Sequence, residues 1–123
     1  MGHSFDLLSS RVIGAAIDVH RELGPGFLEA AYGRALRIAL ERRGIPYHAE
    51  RPVLLRYEGM EIGEYRLDLV VDDSLVVELK AVRGFEDIHF AQLRAYLKAS
   101  GLRVGLLLNF NTPALAIRRV VQE

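Results

Sequence analysis

The sequence predicts an α/β fold in which one mixed sheet lies against helices, in the order α-α-β-β-β-α-β. Three observations carry this. The apolar residues recur at helical spacing as far as Arg43, at strand spacing from His48, and at helical spacing again from Asp87. The late segment VGLLLNF is almost wholly apolar, as a strand covered on both faces would be. At 123 residues, 50% of them hydrophobic, the chain has material for one core, and residues 1–123 are read as a single domain.

The first helix is expected from about Phe5 to Leu23, where Leu8, Val12, Ala15, Ala16, Val19 and Leu23 form one stripe. Gly24-Pro25-Gly26 stops it, because Gly accepts a left-handed cap and Pro cannot continue a helix. A second helix follows from about Phe27 to Arg43, carrying Leu28, Ala31, Ala35, Leu36, Ala39 and Leu40, and Gly44 and Pro46 end it. His48 to Tyr57, Glu61 to Val71 and Leu75 to Val82 read as strands joined by turns at Glu58-Gly59 and Asp72-Asp73-Ser74. Asp87 to Ser100 reads as a helix closed by Gly101, and Arg103 to Phe110 as a buried strand. The tail TPALAIRRVVQE suits a short helix or a last strand equally.

Composition removes several classes of function. There is no cysteine, so disulfides, thiolate metal sites and thiol catalysis are excluded. No apolar run is long enough for a membrane span. The start MGHSFDLLSS lacks the pattern of a signal peptide, and Asp6 stands where a myristoylation motif needs Ser or Thr; the expected location is the cytoplasm. Sixteen basic residues balance sixteen acidic ones, so a non-specific cationic coat for nucleic acid is absent, although a local basic groove is not. Only Lys80 and Lys98 interrupt an otherwise all-Arg set of cations, which draws attention to Lys80.

The stretch YRLDLVVDDSLVVELKAV carries the chemistry. A hairpin centred on Asp73 sets Val71 opposite Leu75, Leu69 opposite Val77 and Leu67 opposite Leu79, an apolar face for the core. The other face then pairs Val70 with Val76, Asp68 with Glu78, and Arg66 with Lys80. Asp68 and Glu78 become cross-strand neighbours about 5 Å apart at Cβ, where like charges destabilise a sheet. A cation between them removes the conflict, and two carboxylates suit a hard ion such as Mg2+ or Mn2+. Lys80 shares the strand and face of Glu78, within reach of a metal-bound water or a phosphate oxygen. Gln92 and Tyr96 in FAQLRAYLK share a helix face as positioning groups. Glu29 in GFLEAAY either complements a helix dipole or adds a third carboxylate to the site. A solvated strand face would carry the same D…ExK letters, so the triple alone is weak. His89 is three residues from Gln92 and borders the expected site; Arg34, Arg37, Arg118 and Arg119 are candidates for a phosphate-contacting rim.

Taken in order, Gly26-x-x-Glu29-x-x-Tyr32, Asp68…Glu78-x-Lys80, Gln92-x-x-x-Tyr96 and LLLNF resemble the GxxExxY protein family of the PD-(D/E)XK nuclease superfamily, over nearly the whole chain. The resemblance implies a restriction-endonuclease-like core with a mixed central sheet flanked by helices. It implies Asp68 and Glu78 as the acidic pair, Lys80 as the motif lysine, Glu29 as the helical glutamate, and Gln92 and Tyr96 as the QxxxY helix. Leu67 stands where the superfamily's name has Pro.

The function expected on this reading is Mg2+-dependent (or Mn2+-dependent) hydrolysis of nucleic-acid phosphodiester bonds. Asp68, Glu78 and Glu29 would serve the metal, and Lys80 the nucleophile. The alternative is a catalytically silent nucleic-acid or protein interaction domain on the same fold. So small a domain has few elements with which to surround a duplex, which leaves room for a homodimer under either reading.

Overall fold

The computed structural model describes residues 2–122. Helices α1 (Gly2–Leu23) and α2 (Glu29–Arg42) precede strands β1 (Tyr47–Tyr57), β2 (Met60–Val71) and β3 (Leu75–Lys80). Helix α3 (Asp87–Ser100) then leads to β4 (Val104–Asn109) and β5 (Ala116–Val121). The tail is thus a strand, and the order is α-α-β-β-β-α-β-β. No helix is long and apolar enough to cross a membrane among the described residues.

The five strands stand in the order β1-β2-β3-β4-β5. Only β3 and β4 run parallel, joined by the α3 crossover; the other neighbours are antiparallel. Every residue of β4 is buried, and β3 is buried up to Lys80, as expected for central strands covered on both faces.

One layer packs Val12, Ala15, Ala16 and Val19 of α1 and Tyr32, Leu36 and Leu40 of α2 onto Leu69, Val71, Leu75, Val77 and Leu79 of the sheet. The other packs Leu93 and Leu97 of α3 onto Val53, Leu67, Val70, Val76 and Leu107. Gly105 lets α3 approach β4, since a Cβ there would lie 3.0 Å from Leu93 Cδ1.

The break between α1 and α2 is held by a side chain. Gly24 and Gly26 take φ of +68° and +113°, open to Gly alone without strain. Tyr32 is buried, stacks on Phe110 at 4.7 Å, and donates its hydroxyl to Gly24 O at 2.5 Å while accepting Phe27 N–H at 3.1 Å. The Gly and Tyr of the GxxExxY pattern are therefore structural here, and they set where α2 begins, with Glu29 as its first residue.

A second clasp holds the far end of β3. Asn109 is fully buried and donates Nδ2 to Val82 O at 2.9 Å, and its Oδ1 accepts N–H from Val82 at 3.1 Å and Asn111 at 3.2 Å. Phe110 N–H adds a bond to Lys80 O at 3.0 Å. The segment leaving the sheet after Lys80 is fixed by β4 in place of ordinary ladder bonds. Asn109→Ala strands buried donors and acceptors in this segment, so it is expected to lower stability by about 1–3 kcal/mol. Urea unfolding should show this as a lower midpoint with unchanged m.

Candidate active site

The β2–β3 hairpin forms in the expected register only for Val71↔Leu75, Val70↔Val76 and Leu69↔Val77. The expected pairs Asp68↔Glu78, Leu67↔Leu79 and Arg66↔Lys80 do not form as ladder pairs. The two carboxylates take the place of the ladder. Asp68 N–H donates to Glu78 Oε2 at 2.9 Å, and Leu79 N–H donates to Asp68 Oδ2 at 2.8 Å. Each strand's backbone is thus satisfied by the other strand's acid.

The same point reverses the alternation of faces. On β1 and β2 the pairs Ala49↔Leu69 and Arg51↔Leu67 flank Glu50 and Asp68, which are unpaired in the register, and Glu50 takes φ +53°. Ala49 and Leu69 belong to the α1/α2 layer, whereas Leu67 and Val53 belong to the α3 layer. Leu67 is therefore core as expected, but of the opposite layer, because period-two parity does not survive the irregularity.

Glu78 is only 3% exposed. Its Oε1 accepts the Tyr65 hydroxyl at 3.0 Å, and the Tyr65 ring stacks on Tyr96 at 3.7 Å and 11°. Burial raises the Glu78 pKa to about 7, and the Asp68 charge adds to the rise. The Asp68 N–H, the Tyr65 hydroxyl and Lys80 act in the other direction. Asp68 is also raised, first by burial; the Leu79 N–H, Lys80 and Arg37 oppose this, and Glu50 adds to it. Tyr65 is raised by burial and then by the Glu78 charge, so it stays a hydroxyl donor to Glu78.

Glu29 stands at the start of α2, exposed as a residue but with a partly desolvated carboxyl. Burial and then the Asp68 charge raise its pKa, against Lys80 and the Ala81 N–H. It lines the same cleft as Asp68 and Leu79. Lys80 acts on Asp68, Glu78 and Glu29 alike.

Tyr96 reaches the site through Tyr65. Gln92, half-buried one turn earlier, makes no side-chain hydrogen bond among the described residues. His89 serves as a cap: its Nδ1 accepts the Glu86 N–H at 3.0 Å at the start of α3. The arginine rim divides. Arg34 and Arg37 line a cleft beside Asp68, whereas Arg118 lies over the Phe85 ring at 5.8 Å.

Sequence reasoning missed Tyr65 and Glu50, while Asn109 reads from the sequence as closing a turn or edging the site. Tyr65 carried no usable signal: parity with Leu67 and Leu69 assigns it to the apolar face, and only the reversal at Asp68 brings its hydroxyl to Glu78. The signal for Asn109 was one polar residue closing an otherwise apolar strand. Glu50 carried none, since a left-handed Glu is not written in any pattern.

All donors at the site are oxygens, as a hard cation requires. Burial is the first cause that raises Asp68, Glu78 and Glu29, and the Asp68 charge adds to the rise at Glu78 and Glu29, so negative charge there is under-compensated in the chain alone. Among the described residues no three acidic or histidine side chains converge as a ready metal cage. Asp68 and Glu78 are the close pair. The donor set fits a two-carboxylate ion that keeps waters or substrate oxygens as its remaining ligands.

The sequence matches the PD-(D/E)XK nuclease superfamily over residues 6–120. No curated protein matches it. The fold is similar to that of the solved "Crystal structure of SSO0001", with a TM-score of 0.58 and 20% identity, over 76% of this chain and 49% of that one. The chain thus spans about half the length of that protein. The superfamily match covers nearly the whole sequence and takes in the helix bearing Glu29, the acidic pair and Lys80, so the chain belongs to the PD-(D/E)XK nuclease superfamily.

Proposed function

We propose that this protein is a metal-dependent phosphodiesterase of nucleic acid, a GxxExxY-type member in which residues 1–123 act as one domain. The observation that carries the reading is the interruption of the β2–β3 ladder by Asp68 and Glu78. Two carboxylates, Glu78 buried and Asp68 half-buried, sit in a sheet, pinned by backbone N–H groups and flanked by Lys80. Such an arrangement opposes stability, and strain of this kind gathers at functional sites.

Asp68 and Glu78, with the Leu79 carbonyl and with Glu29 through water, are the residues that would hold Mg2+ or Mn2+. Such an ion supplies a positive charge for the phosphate oxygens and an acidified water as nucleophile. The rest falls to the chain. Tyr65, braced by Tyr96, fixes one Glu78 oxygen and Asp68 N–H fixes the other, so the carboxylate cannot rotate. Lys80, held by the Asn109 clasp, directs an ammonium toward the acidic pair, where it orients the attacking water and offsets charge on the phosphate. Glu29 presents a carboxyl from the helix side and holds a proton or a water at the same opening.

Incubation with single- and double-stranded DNA and RNA in Mg2+, Mn2+ or EDTA tests the proposal. Cleavage is expected with metal, and its loss in EDTA and in Glu78→Ala. A chain that binds nucleic acid but cleaves none of the panel in either metal is an interaction domain, and the enzymatic reading is then wrong.

Lys80→Arg keeps the charge but replaces a compact ammonium by a planar fork. Turnover should fall at least tenfold, about 1.4 kcal/mol of barrier; wild-type turnover would remove Lys80 from catalysis.

The raised pKa of Glu78 has a pH signature. Between the ordinary carboxylate range and about 7, the folded chain keeps a proton that the unfolded chain releases. The stability from this group is present at low pH and lost as pH rises through about 7. In EDTA the wild type is expected to lose on the order of 1–3 kcal/mol relative to Glu78→Gln from about pH 5 to about pH 8. Urea unfolding of both proteins across that range measures the gap; parallel curves would contradict a raised Glu78.

A further inference from the structure

The cleft beside Asp68 has a volume of about 460 Å3, and Arg34, Arg37, Glu50 and Arg66 stand on its walls together with Glu29 and Asp68. Arg34 and Arg37 are three residues apart on α2 and share a helix face. Arg34 makes no hydrogen bond or ion pair among the described residues, and Arg66 reaches only Glu64, at 3.7 Å.

Arg37 is the unusual member. Its Nε is buried and has no hydrogen-bond partner. Its Nη2 lies 3.8 Å from Glu50 Oε2, beyond hydrogen-bond distance, with the Glu50 side chain 63% exposed. A pair so open contributes little. An unsatisfied buried N–H, by contrast, costs stability, and a shift of the guanidinium toward an acceptor in the cleft relieves that cost. Glu50, the residue that meets Arg37, adopts φ +53° at the point where β1 and β2 skip a pair. A non-glycine residue held in that region signals a constraint imposed from elsewhere.

The geometry points to a phosphate site: Arg37, supported by Arg34 and Arg66, takes a backbone phosphate of the nucleic-acid strand being cleaved, and Glu50 is the place-holder which that phosphate displaces. This rests on the phosphodiesterase reading and names how the strand is held. A guanidinium engages a phosphate through two parallel N–H bonds, and Nε with one Nη forms such a fork. Mixed charge also explains how a chain of zero net charge admits a polyanion. Three of the arginines line one cleft, and the Glu50 carboxylate among them leaves when the ligand arrives. A free phosphate shares this chemistry, so the test must separate it from a strand.

The test is binding without turnover. Fluorescence anisotropy of a short labelled oligonucleotide, single-stranded and duplex, is read in EDTA over a salt series. The proteins are wild type, Arg37→Gln and Glu50→Gln. Arg37→Gln should weaken binding about tenfold and lower the slope of log affinity against log salt by about one. Glu50→Gln, which frees Arg37 and leaves it in place, should bind several-fold tighter. Unchanged affinity and slope in Arg37→Gln overturns the assignment, and so does equal or weaker binding in Glu50→Gln. Calorimetry with inorganic phosphate is the remaining arm: phosphate bound through Arg37 without any oligonucleotide binding assigns the cleft to a small anion and overturns the strand. Because no metal is present, failure here alongside metal-dependent cleavage sinks only this assignment. Binding as expected without cleavage sinks only the enzymatic reading.

Discussion

The exchange of two ladder hydrogen bonds for two carboxylate–backbone bonds, between Asp68 and Glu78, is the interaction on which the rest of this structure depends. Antiparallel strands ordinarily satisfy each other's N–H groups with carbonyls. Here Asp68 N–H and Leu79 N–H are satisfied by acids from the facing strand. Both of these donors are paired, yet the ladder stops at Leu69↔Val77. Past that point β2 belongs with β1 and β3 belongs with β4. The faces of β1 and β2 exchange layers across the same level, and the opening between the strands is where Asp68, Glu78 and Lys80 meet. A charge conflict that would weaken a regular sheet becomes the means of ending one.

Two remote clasps keep this opening in shape. Tyr32 holds the Gly24–Gly26 break and so fixes where α2 starts and where Glu29 stands. Asn109 holds the exit of β3 and so fixes Lys80 and Ala81. Neither residue faces the carboxylates. Position and chemistry are thus carried by different side chains: the clasps are buried and fully hydrogen-bonded, while the acids are desolvated and raised in pKa. Loss of a clasp should therefore destabilise the chain, whereas neutralising an acid should stabilise it in the absence of metal. The two kinds of site separate by the sign of their effect on stability.

Charge is distributed by the same logic. The whole chain is neutral, so long-range attraction to a polyanion is weak. What remains is local, in the arginines on the α2 side of the Asp68 cleft. Salt dependence of binding should accordingly be shallow, with few phosphates neutralised.

The sequence by itself determined the element order through the third strand and α3, the apolar faces of α1, α2 and α3, and the hairpin register from Val71↔Leu75 to Leu69↔Val77. All of these are local periodicities, and burial of one face enforces them. It also marked Asp68, Glu78, Lys80 and Glu29, because acids at mirrored positions about a turn are visible in the letters, and Tyr32 and Gly26 through their spacing. The tertiary structure alone decided that the ladder ends at Asp68, that Leu67 turns to the α3 layer, that Tyr65 rather than Gln92 supports Glu78, and that His89 is a cap. It also decided that the tail adds an antiparallel edge to β4, and that Arg37 meets Glu50. Each of these depends on which groups the fold brings together, across strands or, for His89, within one helix turn, or on a backbone angle that no side-chain pattern records. Periodicity says which face a residue should take; it does not say where another strand's carboxylate will replace the carbonyl that keeps the period.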